Sequence, residues 1–326
     1  MIPLHILSTG KALPDHCVTS AELDGRLGLR PGQVEKKSGV VHRFHAGNDD
    51  SQSGLAAAAL RDAMARGGVA PASIDLLISA SGVAEQALPS TACRIVEPAG
   101  LRIGMPAFDV NASCLGFLAA LQVAAGLLAS GAYRRIAIVA SDLASRGLDW
   151  NEPEASLIFG DGAAAAIVEA GPGGCGIAAQ RLETYPQGKA WCEVRAGGTR
   201  RNPRVGLLPS DHLFSMDGKR VFKLAAGLMD GFLARLFEGS GHRLDQMDAV
   251  VPHQASHLSM SHLRKRLGIP ADALVDIYAR HGNQVSASLP TALHEAIQTR
   301  RVGPGSRVLL LGSAAGLTLG GMVLVL

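Results

Sequence analysis

Short, continuously apolar runs alternate with helix-length segments along almost the whole chain, and this pattern limits the possible fold more than any other feature. The runs predicted to be strands are residues 74–79, 136–140, 163–169, 249–252, 308–312 and 322–326. Helical patterns cover residues 53–66, 115–130, 221–238, 257–267 and 291–298. A strand that is apolar at nearly every position must be covered on both faces, which predicts the α/β class.

A Gly-Pro-rich segment at residues 171–176 divides the chain near its middle. On each side of it, a Gly-rich turn leads into an apolar strand, first at residues 159–169 and again at residues 312–326. The repeated order predicts two structurally similar halves, residues 1–170 and 171–326. Residues 195–206, with the sequence RAGGTRRNPRVG, are predicted to form a solvent-exposed loop.

Composition and charge argue against several classes of protein. The 31 basic and 28 acidic residues nearly balance, whereas a nucleic-acid-binding protein concentrates positive charge on one face. The five cysteines include no C-x-x-C pair, which argues against a disulfide scaffold and favours a reducing compartment. No secretory signal is recognisable, and the longest apolar stretch, residues 115–129, is shorter than the ~20 residues of a membrane span. We therefore expect a cytoplasmic protein without nucleic-acid or membrane partners.

Cys114 stands between an extended run and the apolar helical segment that follows it. At a helix N-terminus, unpaired backbone N–H groups and the helix dipole favour a thiolate, so we expect the pKa of Cys114 to lie below its usual ~8.5. A thiolate in that position is a competent nucleophile toward a thioester carbonyl. A buried structural cysteine would show the same local pattern.

His253 and Asn283 are the other polar residues placed where functional groups occur. His253 ends an apolar strand, the usual location of functional groups in open α/β sheets, and Asn283 lies in a Gly-Asn turn before a helix that begins around Pro290. Each also has an ordinary explanation, as a hydrogen-bonded core histidine or as a turn asparagine. Together with Cys114, they predict a site at the interface of the two halves.

Seven short motifs occur in a fixed order from one end of the chain to the other. They are LPSTACR (88–94), PAFDV (106–110), SCLGF (113–117), FGDGA (159–163), VPHQA (251–255), HGN with SLP (281–290) and GLTLGG (316–321). In these motifs the chain resembles the thiolase superfamily, and within it most closely the 3-oxoacyl-[acyl-carrier-protein] synthase III family. The resemblance implies a thiolase-like, duplicated αβαβα layered fold with two mixed sheets.

The resemblance also implies acyl transfer in two steps, without a metal or an organic cofactor. Cys114 would take an acyl group from a thioester, and a malonyl thioester would then lose CO2 and attack the acyl group to give a 3-oxoacyl product. His253 and Asn283 would donate hydrogen bonds to the developing enolate, with one such donor worth ~3 kcal/mol. The backbone N–H groups of Cys114 and Gly316 would hold the oxyanion at the acyl carbonyl, since glycine allows a close approach.

The parts that would face the substrate depart from the family pattern. The positions of the aromatic residue and the arginine that stack on the adenine of coenzyme A are occupied by Gln33 and Pro153, with Lys37 nearby. Ser256 replaces an asparagine three residues after the predicted catalytic histidine. We therefore expect the acyl group to arrive on an acyl carrier protein more often than on coenzyme A.

The same resemblance implies contacts with partner chains. It implies a homodimer in which the residue at the position of Leu88 crosses the interface and closes the acyl tunnel of the partner subunit, although Leu88 could equally be ordinary interface packing. A bulkier aromatic residue is frequent there, so the tunnel is expected to be longer or differently shaped. Four basic residues either meet an acidic carrier protein or are solvated helix charges: Arg220, Arg264, Lys265 and Arg266.

Other functions stay open at this point. Relatives of the family join two acyl chains head to head, or pass the acyl group to an alcohol, an amine or an aromatic acceptor to form an ester or amide. His253 and Asn283 favour a decarboxylating step, because an ester-forming enzyme needs a base more than an enolate-binding site. Cys, His and Asn also serve papain-like proteases, which the apolar residues after Cys114 disfavour. A non-catalytic interaction subunit is disfavoured by the complete set of three residues.

Overall fold

The computed structural model describes residues 1–171 and 173–326. Its strands are β1 (Ile2–Pro3), β2 (His5–Ala12), β3 (His16–Thr19), β4 (His42–His45), β5 (Leu76–Ser79), β6 (Ala107–Asp109), β7 (Arg135–Asp142), β8 (Gly162–Glu169), β9 (Gly176–Thr184), β10 (Cys192–Glu193), β11 (Ser215–Met216), β12 (Ala249–Pro252), β13 (Arg307–Ala314) and β14 (Thr318–Val325). Its helices are α1 (Ser20–Arg26), α2 (Gln33–Ser38), α3 (Gln52–Gly67), α4 (Thr91–Val96), α5 (Gly116–Ala129), α6 (Pro153–Ser156), α7 (Gly218–Phe237), α8 (His257–Leu267), α9 (Tyr278–His281) and α10 (Ser288–Gln298).

The strands and helices expected from the sequence are all present. The bounds of β12 and α8 agree with the prediction, and the other elements differ from it by a few residues at one or both ends. Residues 195–206 form the expected loop, without a helix or strand. The predicted joint at residues 171–176 includes residue 172, which lies outside the described residues.

Two mixed five-stranded sheets form the framework of the chain. The first has the strand order β2-β8-β7-β5-β6 and the second β1-β9-β14-β13-β12. β5 is parallel to β6 and to β7, and β12 is parallel to β13, whereas the other neighbouring strands in these sheets are antiparallel. One strand departs from the division into residues 1–170 and 171–326, because β1 pairs with β9 in the second sheet.

Buried side chains arrange the sheets and helices in five layers. Successive residues of a strand point to opposite faces of its sheet, so Ile78 packs in the central core whereas Leu77 packs in an outer one. The central core joins both sheets to α5 and α10, which lie between them. The outer face of the first sheet is covered by α3 and α4, and that of the second by α7 and α8. This arrangement confirms the expected αβαβα fold.

The apolar segment that contains Cys114 leads into α5, the helix at the centre of the molecule. A helix that is apolar on most sides is buried, and eight of the residues of α5 are in the core. Gly116 lets α5 approach the first sheet closely, since a Cβ at this position would lie 2.2 Å from the carbonyl oxygen of Ala80. Every helix in the described part of the chain is too short or too polar to span a bilayer.

Candidate active site

A cavity of about 1450 Å³ opens at the carboxyl ends of strands from both sheets. Cys114, His253 and Asn283 all line it, although they come from three remote stretches of the chain. Much of the remaining wall is apolar and includes Leu148, Phe159, Phe214, Met216, Phe222, Ala225, Met229, Met260 and Leu263. The described residues contain no cluster of three or more His, Cys, Asp or Glu side chains suited to a metal ion.

Cys114 lies in a tight turn immediately before α5. Leu115 is the N-cap of this helix, and Ser113 adopts a φ of 50°, which is uncommon for a residue other than glycine. Asn111 holds this turn, since its Oδ1 accepts a hydrogen bond from the Ser113 N–H at 2.8 Å. The Nδ2 of Asn111 donates to the carbonyl oxygen of Gly82 at 3.2 Å. The turn places the Cys114 side chain on the cavity wall.

The ionisation of Cys114 differs from the sequence expectation. Burial raises the pKa of the Cys114 thiol well above its usual value, and the nearby Cys192 and Asp142 side chains raise it further. Hydrogen bonds from the backbone N–H groups of Ala315 and of Cys114 itself favour the thiolate without compensating for lost solvation. The expected lowering of the pKa is therefore wrong. The sulfur is protonated at neutral pH, and the thiolate is a minor form.

His253 follows β12 and is held close to β13. Its backbone N–H donates to the carbonyl oxygen of Leu311 at 2.8 Å, and a Cβ at Gly312 would lie 2.8 Å from the His253 Cβ. Burial lowers the pKa of His253 to about 4, so its imidazole is neutral at pH 7. Within the described residues, Nδ1 has no hydrogen-bond partner. A neutral imidazole presents one donor and one acceptor nitrogen, which suits it to a hydrogen bond with substrate.

The carboxamide of Asn283 is oriented by two local hydrogen bonds. Its Nδ2 donates to the carbonyl oxygen of Ala255 at 3.3 Å, and its Oδ1 accepts from the Val285 N–H at 2.9 Å. The backbone of Asn283 is also fixed, since its N–H donates to the carbonyl oxygen of Ile158 at 2.8 Å. The Nδ2 group carries two hydrogens, so one of them stays available for a molecule in the cavity.

A backbone N–H from the segment after β13 reaches the sulfur of Cys114. The N–H that reaches Cys114 belongs to Ala315, and Ala315 lines the cavity whereas Gly316 does not. Gly316 has a φ of 133°, a conformation that residues with a Cβ rarely adopt. Glycine therefore suits the backbone turn at position 316. The expectation that the Gly316 N–H serves as an oxyanion donor stays a prediction, because a donor to the sulfur is not the donor to a substrate carbonyl oxygen.

The residues that depart from the family pattern surround the opening of the cavity. Lys37, Pro153 and Ser256 line it together with Lys36, whereas Gln33 does not. Ser256 has a structural role, because its Oγ accepts a hydrogen bond from the Ser259 N–H at 3.2 Å and so caps α8.

The predicted carrier-binding residues are exposed but differ in their pairing. Arg266 lines the cavity and forms an ion pair with Asp230 at 2.7 Å. Arg220 pairs with Asp217 at 3.2 Å. Arg264 and Lys265 lie in the last turn of α8 and form no ion pair within the described residues. Of the four predicted residues, Arg264 and Lys265 are thus the two whose charges are not paired within the described part of the chain.

Leu88 does not line the cavity and lies on the surface, where it is 83% exposed. Other large apolar side chains are exposed on the same half of the chain, including Ile103 and Phe108, of which Phe108 lies on the edge strand β6.

Asp142 is a polar residue of the cavity that sequence reasoning missed. It ends β7, is 2% exposed, and accepts hydrogen bonds from the backbone N–H groups of Gly82, Val83 and Ser286. Burial raises the pKa of its carboxyl to about 7. The available signal was a polar residue at the end of an apolar strand, which is the same signal that identified His253.

Comparisons with known proteins agree on one family. Residues 108–186 match the family profile described as 3-oxoacyl-[acyl-carrier-protein (ACP)] synthase III, and residues 237–326 match the profile of its C-terminal part. A Streptomyces coelicolor protein named beta-ketoacyl-[acyl-carrier-protein] synthase III 3 is 36% identical over 321 residues, which are 97% of this chain and 95% of that protein.

Solved structures show the same likeness. The beta-ketoacyl-[acyl-carrier-protein] synthase III of Thermus thermophilus superposes with a TM-score of 0.89 at 30% identity, covering 98% of each chain. Xanthomonas campestris OleA has a TM-score of 0.86 at 22% identity and covers 99% of this chain and 98% of its own. At that identity, the second likeness concerns the fold alone.

Proposed function

Because this chain belongs to the 3-oxoacyl-[acyl-carrier-protein] synthase III family, we propose that it makes 3-oxoacyl thioesters by decarboxylative condensation of an acyl group with a malonyl thioester. The observation that carries the proposal is that Cys114, His253 and Asn283 line one cavity with largely apolar walls. A nucleophile and two hydrogen-bond donors in such surroundings suit a reaction in which negative charge develops on a thioester oxygen.

In the first step, Cys114 becomes acylated. Its thiolate, a minor form at neutral pH, attacks the carbonyl carbon of an acyl thioester, and the carbonyl π electrons move to the oxygen. The backbone N–H groups of Cys114 and Gly316 would hold this oxyanion, as the likeness to the family implies. When the tetrahedral intermediate collapses, the bond to the original thiol breaks and that thiol leaves with a proton.

In the second step, a malonyl thioester loses CO2 beside the acyl-cysteine. The electron pair of the broken C–C bond moves onto the α-carbon and the thioester oxygen as an enolate. A neutral His253 N–H and the free Nδ2 hydrogen of Asn283 would donate to that oxygen. The α-carbon then attacks the acyl carbonyl and forms the new C–C bond, and the Cys114 thiolate is released.

Release of CO2 tests this proposal against its main alternative. The protein is first acylated with a panel of acetyl to dodecanoyl thioesters and then mixed with malonyl-carrier protein or malonyl-coenzyme A. The proposal predicts CO2 and a 3-oxoacyl product in equal amounts. Acylated protein that releases no CO2 but consumes a second acyl thioester, an alcohol or an amine would instead favour head-to-head condensation or ester or amide formation.

We further propose that the acyl group is delivered by an acyl carrier protein and that Arg264 and Lys265 contact it. Support comes from the positions that the family uses to stack on coenzyme A, here Gln33 and Pro153, and from the unpaired charges at the end of α8. Acylation rates measured with the same acyl group on both donors test this idea. A higher rate with coenzyme A would refute it.

We also propose that the protein acts in the cytoplasm as a homodimer of chains, each built from the halves 1–170 and 171–326. The exposed Leu88 and Phe108 support an interface on the first half, with Leu88 reaching the acyl tunnel of the partner subunit.

A further inference from the structure

We propose that Asp142 is a positioning residue that sets the geometry of Asn283 by holding the turn that follows it. The inference rests on the proposed function, because its effect is expected in the decarboxylating step. It goes beyond that function by assigning a role to a buried carboxylate that does not itself contact the reacting atoms.

The carboxylate of Asp142 is bound by backbone donors from two remote segments. Its Oδ1 accepts from the N–H groups of Gly82 at 2.9 Å and Val83 at 3.1 Å, and its Oδ2 accepts from the Ser286 N–H at 3.1 Å. Both oxygens are therefore engaged by the chain, which favours positioning over proton transfer.

The turn held by Asp142 contains a strained residue. Val285 has a φ of 51°, and a β-branched residue in this left-handed region persists only where the surroundings enforce it. Two hydrogen bonds hold the backbone around Val285. The Val285 N–H donates to Asn283 Oδ1, and the N–H of the next residue, Ser286, donates to the Asp142 carboxylate. The direction of the Asn283 carboxamide is thus coupled to the Asp142 carboxylate through two consecutive peptide units.

Gly82 connects this turn to the turn before Cys114. A Cβ at position 82 would lie 2.5 Å from Val285 Cγ1, 3.3 Å from Asp142 Oδ1 and 3.5 Å from the carbonyl carbon of Ser113. Ser113 and Val285 are the two non-glycine residues near the site that have left-handed backbones. Both therefore pack against Gly82, whose N–H is bound by Asp142.

Cys114 has anchors of its own that do not involve Asp142. Asn111 Oδ1 accepts from the Ser113 N–H at 2.8 Å, and the N–H groups of Leu115 and Gly116 close the turn by donating to the carbonyl oxygens of Ala112 and Ser113. Loss of the Asp142 carboxylate should therefore disturb Asn283 more than Cys114. The two half-reactions are expected to respond unequally.

Asp142→Asn tests the inference, because an amide must place its NH2 group against backbone N–H donors whichever way it is turned. Acylation of Cys114 and CO2 release by pre-acylated protein are measured separately. We expect CO2 release to fall about 100-fold, as for a misplaced reacting group, and acylation to change less than about tenfold in either direction. An equal loss in both steps would mean a general structural role and would overturn the inference.

Asp24→Asn is the matched control. Asp24 is 3% exposed and accepts from the backbone N–H groups of Gly32 at 2.7 Å and Val34 at 2.8 Å, but it does not line the cavity. This variant should lose comparable hydrogen bonds and keep the wild-type ratio of the two rates. A shifted ratio in Asp24→Asn as well would also count against a specific role for Asp142.

Val285→Gly tests the same coupling if Asp142→Asn does not fold. Glycine adopts the left-handed conformation without strain but loosens the turn, so CO2 release should fall about tenfold while acylation is retained. A wild-type rate of CO2 release in Val285→Gly would overturn the inference. Wild-type protein that acylates but releases no CO2 would refute the proposed function and this inference with it, whereas a failure of the variants alone concerns only Asp142.

Discussion

The side chain of Asn283 is hydrogen-bonded through Nδ2 to the carbonyl oxygen of Ala255, at 3.3 Å. Ala255 is itself tied to His253, because its N–H donates to the His253 carbonyl oxygen at 2.8 Å. The two side chains proposed to bind one enolate oxygen are therefore linked through a short, hydrogen-bonded stretch of backbone. Their separation is set by this stretch rather than by the sequence distance between them.

Asn283→Asp is expected to lower decarboxylation of the malonyl thioester about 100- to 1000-fold, because the new carboxylate cannot donate a hydrogen bond to an enolate oxygen. Acylation of Cys114 should continue. CO2 release from pre-acylated protein provides the measurement. Asn202→Asp is the control, since Asn202 lies in the loop outside the cavity and bonds the carbonyl oxygen of Thr199. Equal rates in Asn283→Asp and wild type would contradict the assigned role.

Cys114→Ala is expected to abolish the mass gain that follows exposure to acyl thioesters, because the thioester bond needs its sulfur. The matched control is Cys192→Ala, which removes the other cysteine that lines the cavity. Intact-protein mass spectrometry should show the adduct in the control. An adduct that persists in Cys114→Ala would place the acyl group elsewhere.

The rate of acylation should rise about tenfold per pH unit between pH 7 and pH 9. Burial raises the pKa of Cys114 above this range, so the fraction of reactive thiolate grows with pH throughout it. Single-turnover acylation followed by mass spectrometry measures the rate, with a chemically stable acyl donor at each pH. A rate that is already constant at pH 7 would show that Cys114 rests as a thiolate.

Buried histidines should weaken the fold in acid. Burial lowers the pKa of His45 to about 4, below the ordinary value of 6.5 that applies when the chain is unfolded. The unfolded chain thus binds the proton more readily between these pH values, and the stability that neutral His45 contributes above pH 6.5 is lost as the pH falls toward 4.

His45→Gln isolates this contribution, because glutamine does not titrate. Between pH 7 and pH 4, the unfolding free energy of the wild type should fall by up to about 3 kcal/mol relative to that of His45→Gln. Denaturant unfolding of both proteins at a series of pH values provides the measurement. Buried carboxyls such as Asp142 have the opposite pH dependence, but they are present in both proteins and cancel when the two free energies are subtracted. A difference that does not change with pH would contradict the prediction.

Leu88→Asp should weaken self-association at least tenfold if Leu88 is buried between two subunits, because a charge would then be placed in an apolar contact. Sedimentation velocity over a range of protein concentrations measures the effect. Leu208→Asp is the control, since Leu208 is 62% exposed but lies on the second half of the chain. Unchanged association in Leu88→Asp would remove Leu88 from the proposed interface.

Elements with a strong local pattern were predictable from the sequence, and elements without one were not. The sequence of β12 is four apolar residues, all of which are buried in the structure. The sequence of β9 contains Gln180, Arg181 and Glu183 and has no continuous apolar run. β9 becomes a strand because it pairs along most of its length with β14, a partner more than 130 residues away. Such pairing is a property of the assembled sheet.

The site shows the same division between local and distant causes. Cys114, His253 and Asn283 were found because each stands at a recognisable end of a strand or start of a helix. The pKa of Cys114 was misjudged because the helix end is local, whereas the desolvation that outweighs it comes from the whole assembled cavity. The role of Asp142 was not predictable from its own segment, because the groups that it binds, at Gly82 and Ser286, lie far from it in the sequence.

The first strand of the chain restricts how the two halves can move. β1 belongs to the second sheet and β2 to the first, and a single buried residue, Leu4, separates them. Leu4 is also part of the core between the sheets. A hinge motion that separated the halves would therefore break the pairing of β1 with β9 or expose that core. Substrates therefore enter and leave without a hinge opening of the two halves, and the frame that carries the reacting groups keeps its shape.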